Sequence, residues 1–87
     1  MYNLKPSKFF AKQYKKIIKN NIVLEKRIDV ALTKLTNNPE SVSHKVDEFW
    51  SCRVTGDVRI IWEYQNGEPC LLLLKIGGHP GTNKVYK

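Results

Sequence analysis

The spacing of apolar residues changes once along this chain, at Pro39, and the change sets the fold class. Before Pro39 the period is helical. Phe10, Tyr14, Ile17 and Ile18, with Phe9 widening the stripe, share one side of a helix capped by Ser7 and running to about Asn20. Leu24, Ile28, Ala31, Leu32 and Leu35 share one side of a second helix, capped by Asn21 and running to about Asn38. The break at Asn20-Asn21 is so short that the two helices must form an antiparallel hairpin. After Pro39 the period is two, and strands are expected over residues 46–54, 58–64 and 69–76, the last two joined through Asn66-Gly67. Residues 2–5 read as a further strand ended by Pro6, and Val85-Tyr86 as a last short extended piece. The order βααβββ implies an α+β domain, with the helix hairpin on one face of a small, mainly antiparallel twisted sheet.

At 87 residues the chain has length for one domain, residues 1–87, and one modest core. The longest apolar run, Leu71 to Leu74, is far short of the roughly 20 residues that cross a bilayer, so no membrane association is expected. The opening Met-Tyr-Asn-Leu-Lys-Pro lacks the apolar centre of a secretory signal, which makes the cytoplasm the expected location. Cys52 and Cys70 lie eighteen positions apart inside strand-like runs and read as buried, reduced thiols. With two histidines and no second cysteine pair, neither a zinc site nor any cofactor is expected. Fifteen Lys and Arg against eight Asp and Glu give a net charge of +7, the footprint of a domain that meets a polyanion.

The loop between the first two long strands fixes where the arginines stand. A two-residue turn at Gly56-Asp57 would pair Arg53 with Ile60 and mix polar with apolar side chains on both faces. A three-residue loop, Thr55-Gly56-Asp57, pairs Val54 with Val58, Cys52 with Ile60 and Trp50 with Trp62. Six apolar side chains then share one face and Arg53 stands opposite Arg59 on the other. A slip of one residue flips every side chain, so coherence of the buried face selects the three-residue loop. Two arginines side by side repel, which suits a phosphate better than an empty surface.

The run Trp50-Ser51-Cys52-Arg53-Val54-Thr55-Gly56-Asp57-Val58-Arg59-Ile60-Ile61-Trp62 and the ending Lys75-Ile76-Gly77-Gly78-His79, with Tyr86 seven residues on, resemble the RelE/ParE superfamily over essentially the whole chain. The resemblance implies the toxin of a type II toxin–antitoxin pair, a metal-independent endoribonuclease that cuts mRNA on translating ribosomes through attack by the 2′-hydroxyl. It gives Arg53 and Arg59 the scissile phosphate. His79 and His44 match the two histidines of the YafQ-like branch, Asp57 its acidic hairpin residue, and Tyr86 the aromatic that orients substrate; Lys45 and Lys84 are further phosphate contacts. Where RelE has a lysine two residues before the first arginine, this chain has Ser51. Expected partners are a cognate antitoxin, mRNA and ribosomal RNA, with oligomers formed through the antitoxin. A gyrase poison of the ParE type and a non-catalytic RNA-binding module share the fold and stand as alternatives.

Metal-free cleavage of RNA needs a base for the 2′-hydroxyl proton, an acid for the leaving 5′-oxygen, and fixed cations for the phosphorane. Histidine titrates near neutrality and serves either proton role, while arginine stays charged and grips phosphate oxygens in a fork.

Overall fold

The computed structural model describes residues 1–78. The elements run β1 (Asn3–Pro6), α1 (Lys8–Ile18), α2 (Ile22–Asn37), a single 3₁₀ turn (Pro39–Val42), β2 (Ser43–Val46), β3 (Phe49–Arg53), β4 (Val58–Tyr64) and β5 (Cys70–Gly78). They form a five-stranded sheet in the order β1-β5-β4-β3-β2, antiparallel except where β1 lies parallel to β5. The expected piece at Val85-Tyr86 lies outside the described residues.

Both helices start where their caps predict. The Ser7 hydroxyl accepts from the Phe10 amide at 3.0 Å, and Asn21 Oδ1 accepts from the Leu24 amide at 3.1 Å. Between them Asn20 takes a left-handed φ of 57°, a conformation asparagine tolerates, and the chain reverses. Phe10, Ile28, Ala31 and Leu35 are buried against the sheet, with Tyr14, Ile17, Ile18, Leu24 and Leu32 packed at the edge of that core. Phe9 does not join them. One residue is a 100° step around a helix, which carries Phe9 to the outside, 54% exposed.

The sheet has one strand more than the sequence suggested. The stretch expected as a single strand over residues 46–54 folds back at Asp47-Glu48, so that Val46 pairs with Phe49 and Ser43 with Cys52. Asp47 makes the turn at a φ of 56°, using the tolerance of aspartate for the left-handed region. Asn66-Gly67 forms the expected hairpin, with Gly67 at a φ of 74° and the Glu68 amide donating to the Gln65 carbonyl at 3.3 Å. Pro69 has no amide to give the ladder, and β5 begins one residue later, at Cys70.

β5 then changes phase. Tyr64 pairs with Leu71 and Trp62 with Leu73, but Ile61 pairs with Lys75 and Ile60 with Ile76, so a bulge at Leu74 interrupts the ladder. In strict alternation Leu71 and Leu73 would share their face with Lys75. The bulge puts Ile76 there instead, buried with them, and turns Lys75 to the opposite face. Helix α1 holds this point beyond the end of β1. The Ser7 hydroxyl donates to the Leu74 carbonyl at 3.1 Å, and Gln13 Oε1 accepts from the Ile76 amide at 2.9 Å.

The core closes on Trp62, which is fully buried, stacks on Trp50 at 5.4 Å and donates its indole N–H to the Ser43 hydroxyl at 3.0 Å. Cys52 and Cys70 are buried free thiols. Burial pushes the Cys52 thiol up, against smaller opposing effects of Ser43 and Lys34, which keeps it protonated and inert. Among the described residues no helix is long and apolar enough to cross a membrane.

Candidate functional site

The β3–β4 loop positions the site. Val54 and Thr55 both donate their amides to the Val58 carbonyl, at 2.8 and 3.2 Å, which closes the loop over three residues. The Thr55 hydroxyl accepts from the amides of Asp57 and Val58 at 3.2 and 3.0 Å and rigidifies it. The ladder below therefore runs Trp50 to Trp62, Ser51 to Ile61, Cys52 to Ile60 and Arg53 to Arg59. Cys52, Ile60 and Trp62 are buried under the helices, with Trp50, Val54 and Val58 packed around them. The arginines stand on the other face.

That face is less open than a row of polar residues suggests. Ser51 is fully buried and Ile61 is 5% exposed. Arg53 is exposed, but Arg59 is half-buried, and its buried Nε has no acceptor among the described residues. A desolvated guanidinium N–H without a partner costs about 1–3 kcal/mol, and a second cation directly opposite adds repulsion. One anion bound between the two side chains relieves both costs, and the guanidinium fork matches phosphate oxygens.

Two more residues reach this face by routes the sequence did not display. His44 lies in the edge strand β2 rather than in a loop before the sheet; its pairing with Ser51 makes it a diagonal neighbour of Arg53, about 7–8 Å away along the backbone. Lys75, absent from the expected site, pairs with Ile61 and is a diagonal neighbour of Arg59, which itself opposes Gly77. The break in alternation within Leu71-Leu72-Leu73-Leu74-Lys75-Ile76 is the trace a bulge leaves in sequence, and it could have revealed Lys75. Glu63 shares the face four residues along β4 from Arg59, about 13 Å away at strand rise.

The remaining candidates separate. Asp57 is exposed in the loop at the arginine end, and the loop bond to Thr55 uses its amide, not its carboxylate. Lys45 pairs with Trp50, on the helix side of the sheet, and its Nζ sits 5.2 Å from the Trp50 ring centroid as a cation–π contact. It is not brought together with the arginines. His79, Lys84 and Tyr86 lie outside the described residues. Among the described residues no three His, Cys, Asp or Glu side chains assemble as a metal ion would need.

No family model matches this sequence, and no curated protein matches it either. Solved structures do. The YoeB/ParE toxin from Agrobacterium tumefaciens superposes with a TM-score of 0.78 at 13% identity, over 90% of this chain and 99% of that one. A metal-bound toxin from Helicobacter pylori gives 0.75 at 23% identity, over 91% and 96%. The DinJ–YafQ complex of E. coli gives 0.73 at 19% identity, over 91% and 94%. The chain thus has the fold of the RelE/ParE-type toxins, with the N-terminal strand, helix hairpin and mainly antiparallel sheet expected from its sequence.

Proposed function

We propose that this chain, built on the RelE/ParE toxin fold, is the toxin of a type II toxin–antitoxin pair and a metal-independent endoribonuclease that cuts mRNA on translating ribosomes. The observation that carries this reading is the cross-strand pair Arg53–Arg59, with the Arg59 Nε buried and unpartnered among the described residues. A gyrase poison has no use for two directly opposed cations, one of them partly desolvated, whereas a phosphorane does.

In the proposed reaction a base removes the 2′-hydroxyl proton, the 2′-oxygen bonds to phosphorus, and the bond from phosphorus to the 5′-oxygen breaks as an acid protonates that oxygen. The products are a 2′,3′-cyclic phosphate and a free 5′-hydroxyl. Arg53 and Arg59 hold the non-bridging oxygens as charge builds, and Lys75 lies on the same face to add to that field. His44, exposed beside Arg53, is one proton carrier. His79 as the other, Asp57 as the acidic residue, Tyr86 as the orienting aromatic and Lys84 as a phosphate contact enter the proposal through the sequence resemblance. The proposed partners are a cognate antitoxin, mRNA and ribosomal RNA, and the proposed location is the cytoplasm.

Single-turnover cleavage of a programmed ribosome complex tests this. Wild type should cut, and should continue to cut in excess EDTA while the ribosome stays intact. Arg59→Ala and His79→Ala should each slow the chemical step about 10²–10⁴-fold, with folding retained. A wild-type chain that arrests growth without cutting RNA would replace this reading with the gyrase-poison one.

A further inference from the structure

The sheet face that carries the arginines has a second end. Down the β3–β4 ladder Arg53–Arg59 is followed by Ser51–Ile61, and then by Phe49 set against Glu63, one residue beyond the Trp50–Trp62 pair in the same register. Phe49 is also opposed by Val46 in β2, and Glu63 by Leu72 in β5, so a row crosses the sheet with one carboxylate among apolar side chains. Phe49 is 38% exposed in that row, and Val46, Glu63 and Leu72 are half-buried. Among the described residues the Glu63 carboxylate has no hydrogen bond and no ion pair. The face therefore carries opposite charge at its two ends. Arg53, Arg59 and Lys75 lie toward one, and Glu63 lies at the other, beside Asp47 and Glu48 of the β2–β3 turn. A plain polyanion would be drawn to the first end and repelled by the second. A ligand that joins a phosphate to a neutral, flat group with hydrogen-bond donors, about 13 Å away at strand rise, matches both.

We propose that Phe49 and Glu63 form a base subsite for single-stranded RNA that selects guanine. The base stacks on the Phe49 ring and donates its N1–H and N2–H to the Glu63 carboxylate, while the phosphate of a nearby nucleotide lies at Arg53 and Arg59. Directly opposed side chains of an antiparallel pair have Cβ atoms about 4.5–5.5 Å apart, so a base laid on the ring turns one edge to the carboxylate. An ionised carboxylate only accepts. Guanine sets two donors side by side on its pairing edge. Adenine and cytosine set a donor beside an acceptor there, and uracil has one donor between two acceptors. The subsite rests on the reading of the arginine pair as a phosphate site; it does not rest on cleavage.

The probes are short oligouridylates with one central guanine, adenine, cytosine or inosine, 2′-O-methylated throughout so that no strand can be cut. They are titrated at fixed low salt into isotope-labelled full-length chain and followed by amide NMR shifts. The guanine strand should bind about tenfold more tightly than the adenine strand or oligouridylate, with inosine, which lacks the N2–H, in between. Shifts should reach Phe49 and Glu63 as well as Arg53 and Arg59. Glu63→Gln offers one acceptor and one donor, so it should abolish the preference for guanine and favour adenine. Phe49→Ala should weaken every strand about tenfold, and Phe49→Trp should restore binding. Arg59→Ala should weaken all strands alike and keep the order of bases. Circular dichroism on each variant controls for folding. Equal affinities in wild type, absence of binding, or a guanine preference that survives Glu63→Gln overturns the proposal. So does a self-associated chain that Phe49→Ala makes monomeric, since the ring is then a contact between copies. Failure to cut mRNA on the ribosome would leave this titration unaffected, and failure of the titration would leave the cleavage assay standing.

Discussion

Arg53 and Arg59 face each other across the β3–β4 ladder, one exposed and one half-buried, and the buried Nε of Arg59 has no acceptor among the described residues. Two like charges in directly opposed positions destabilise a sheet, so the pair taken by itself works against the fold that holds it. Stability and anion binding should therefore move in opposite directions when either arginine is replaced.

Arg59→Met keeps the length of the apolar stem and removes the charge. Its melting temperature without added anion should match or exceed that of wild type, where 1 kcal/mol corresponds to about 4–8 °C in a domain of this size. Inorganic phosphate should raise the melting temperature of wild type and not of the variant. Affinity for single-stranded RNA should fall, and the log–log salt slope should flatten by about 0.7. A variant that melts lower and keeps the wild-type slope would show that Arg59 supports the fold instead.

The β3–β4 loop separates the structural work of Thr55 from any chemical work of Asp57. Thr55→Val removes an acceptor for two amides and should cost about 1–2 kcal/mol in denaturant unfolding, with Thr55→Ser restoring most of it. Asp57→Ala keeps the amide that Thr55 holds and should change stability by less than about 0.5 kcal/mol. Any loss of cleavage in that variant then reports on the carboxylate.

Gln13→Ala should uncap the bulge. The Ile76 amide loses its acceptor, at a cost of about 1–3 kcal/mol, and its hydrogen exchange should accelerate relative to amides in β4. Gly77, opposite Arg59, follows directly, so phosphate affinity should weaken although Gln13 is on the other side of the sheet. Wild-type exchange at Ile76 would show that β4 alone holds the strand.

Tyr64 makes a prediction in alkali. Its phenol is raised above the ordinary value, by burial first and then by its hydrogen bond to Glu40 and the charges of Glu40 and Tyr2. The folded chain keeps this proton where the unfolded chain releases it. The stabilisation is therefore complete below pH of about 10 and is lost as pH climbs beyond that toward the folded value. Tyr64→Phe should lose the hydrogen bond at neutral pH, about 0.5–1.5 kcal/mol, and then decline less steeply than wild type above pH of about 10. Urea midpoints across that range supply the comparison. Parallel curves would exclude Tyr64 as the source.

Much of this architecture was legible because its determinants are local. Ser7 and Asn21 announce both helix starts, and the demand that Cys52, Ile60 and Trp62 share one face sets the arginine register. What escaped depended on backbone events with ambiguous letters. Asp47-Glu48 turns the chain as sharply as Asn66-Gly67, yet a turn with aspartate in the left-handed region resembles any polar pair inside a strand. Missing it hid β2, and with β2 the strand position of His44. The bulge at Leu74 hid Lys75, because parity arguments fail wherever one residue is inserted. Burial of the arginine face at Ser51 and Ile61 could not be read at all, since pairing says which side a residue takes and nothing of what covers it.

The parallel pairing of β1 with β5 has a consequence for the chain while it is being made. Asn3 finds its partner in Cys70, and Leu4 in Leu71. At a synthesis rate of about 5–20 residues per second, the first strand waits roughly 3–13 s for its neighbour to exist. The helix hairpin closes far sooner, within microseconds, because its contacts are local. During those seconds a nascent hairpin displays Phe10, Ile28, Ala31 and Leu35 with no β5 beneath them. Until β5 emerges, those side chains are open to any chaperone or partner protein near the ribosome.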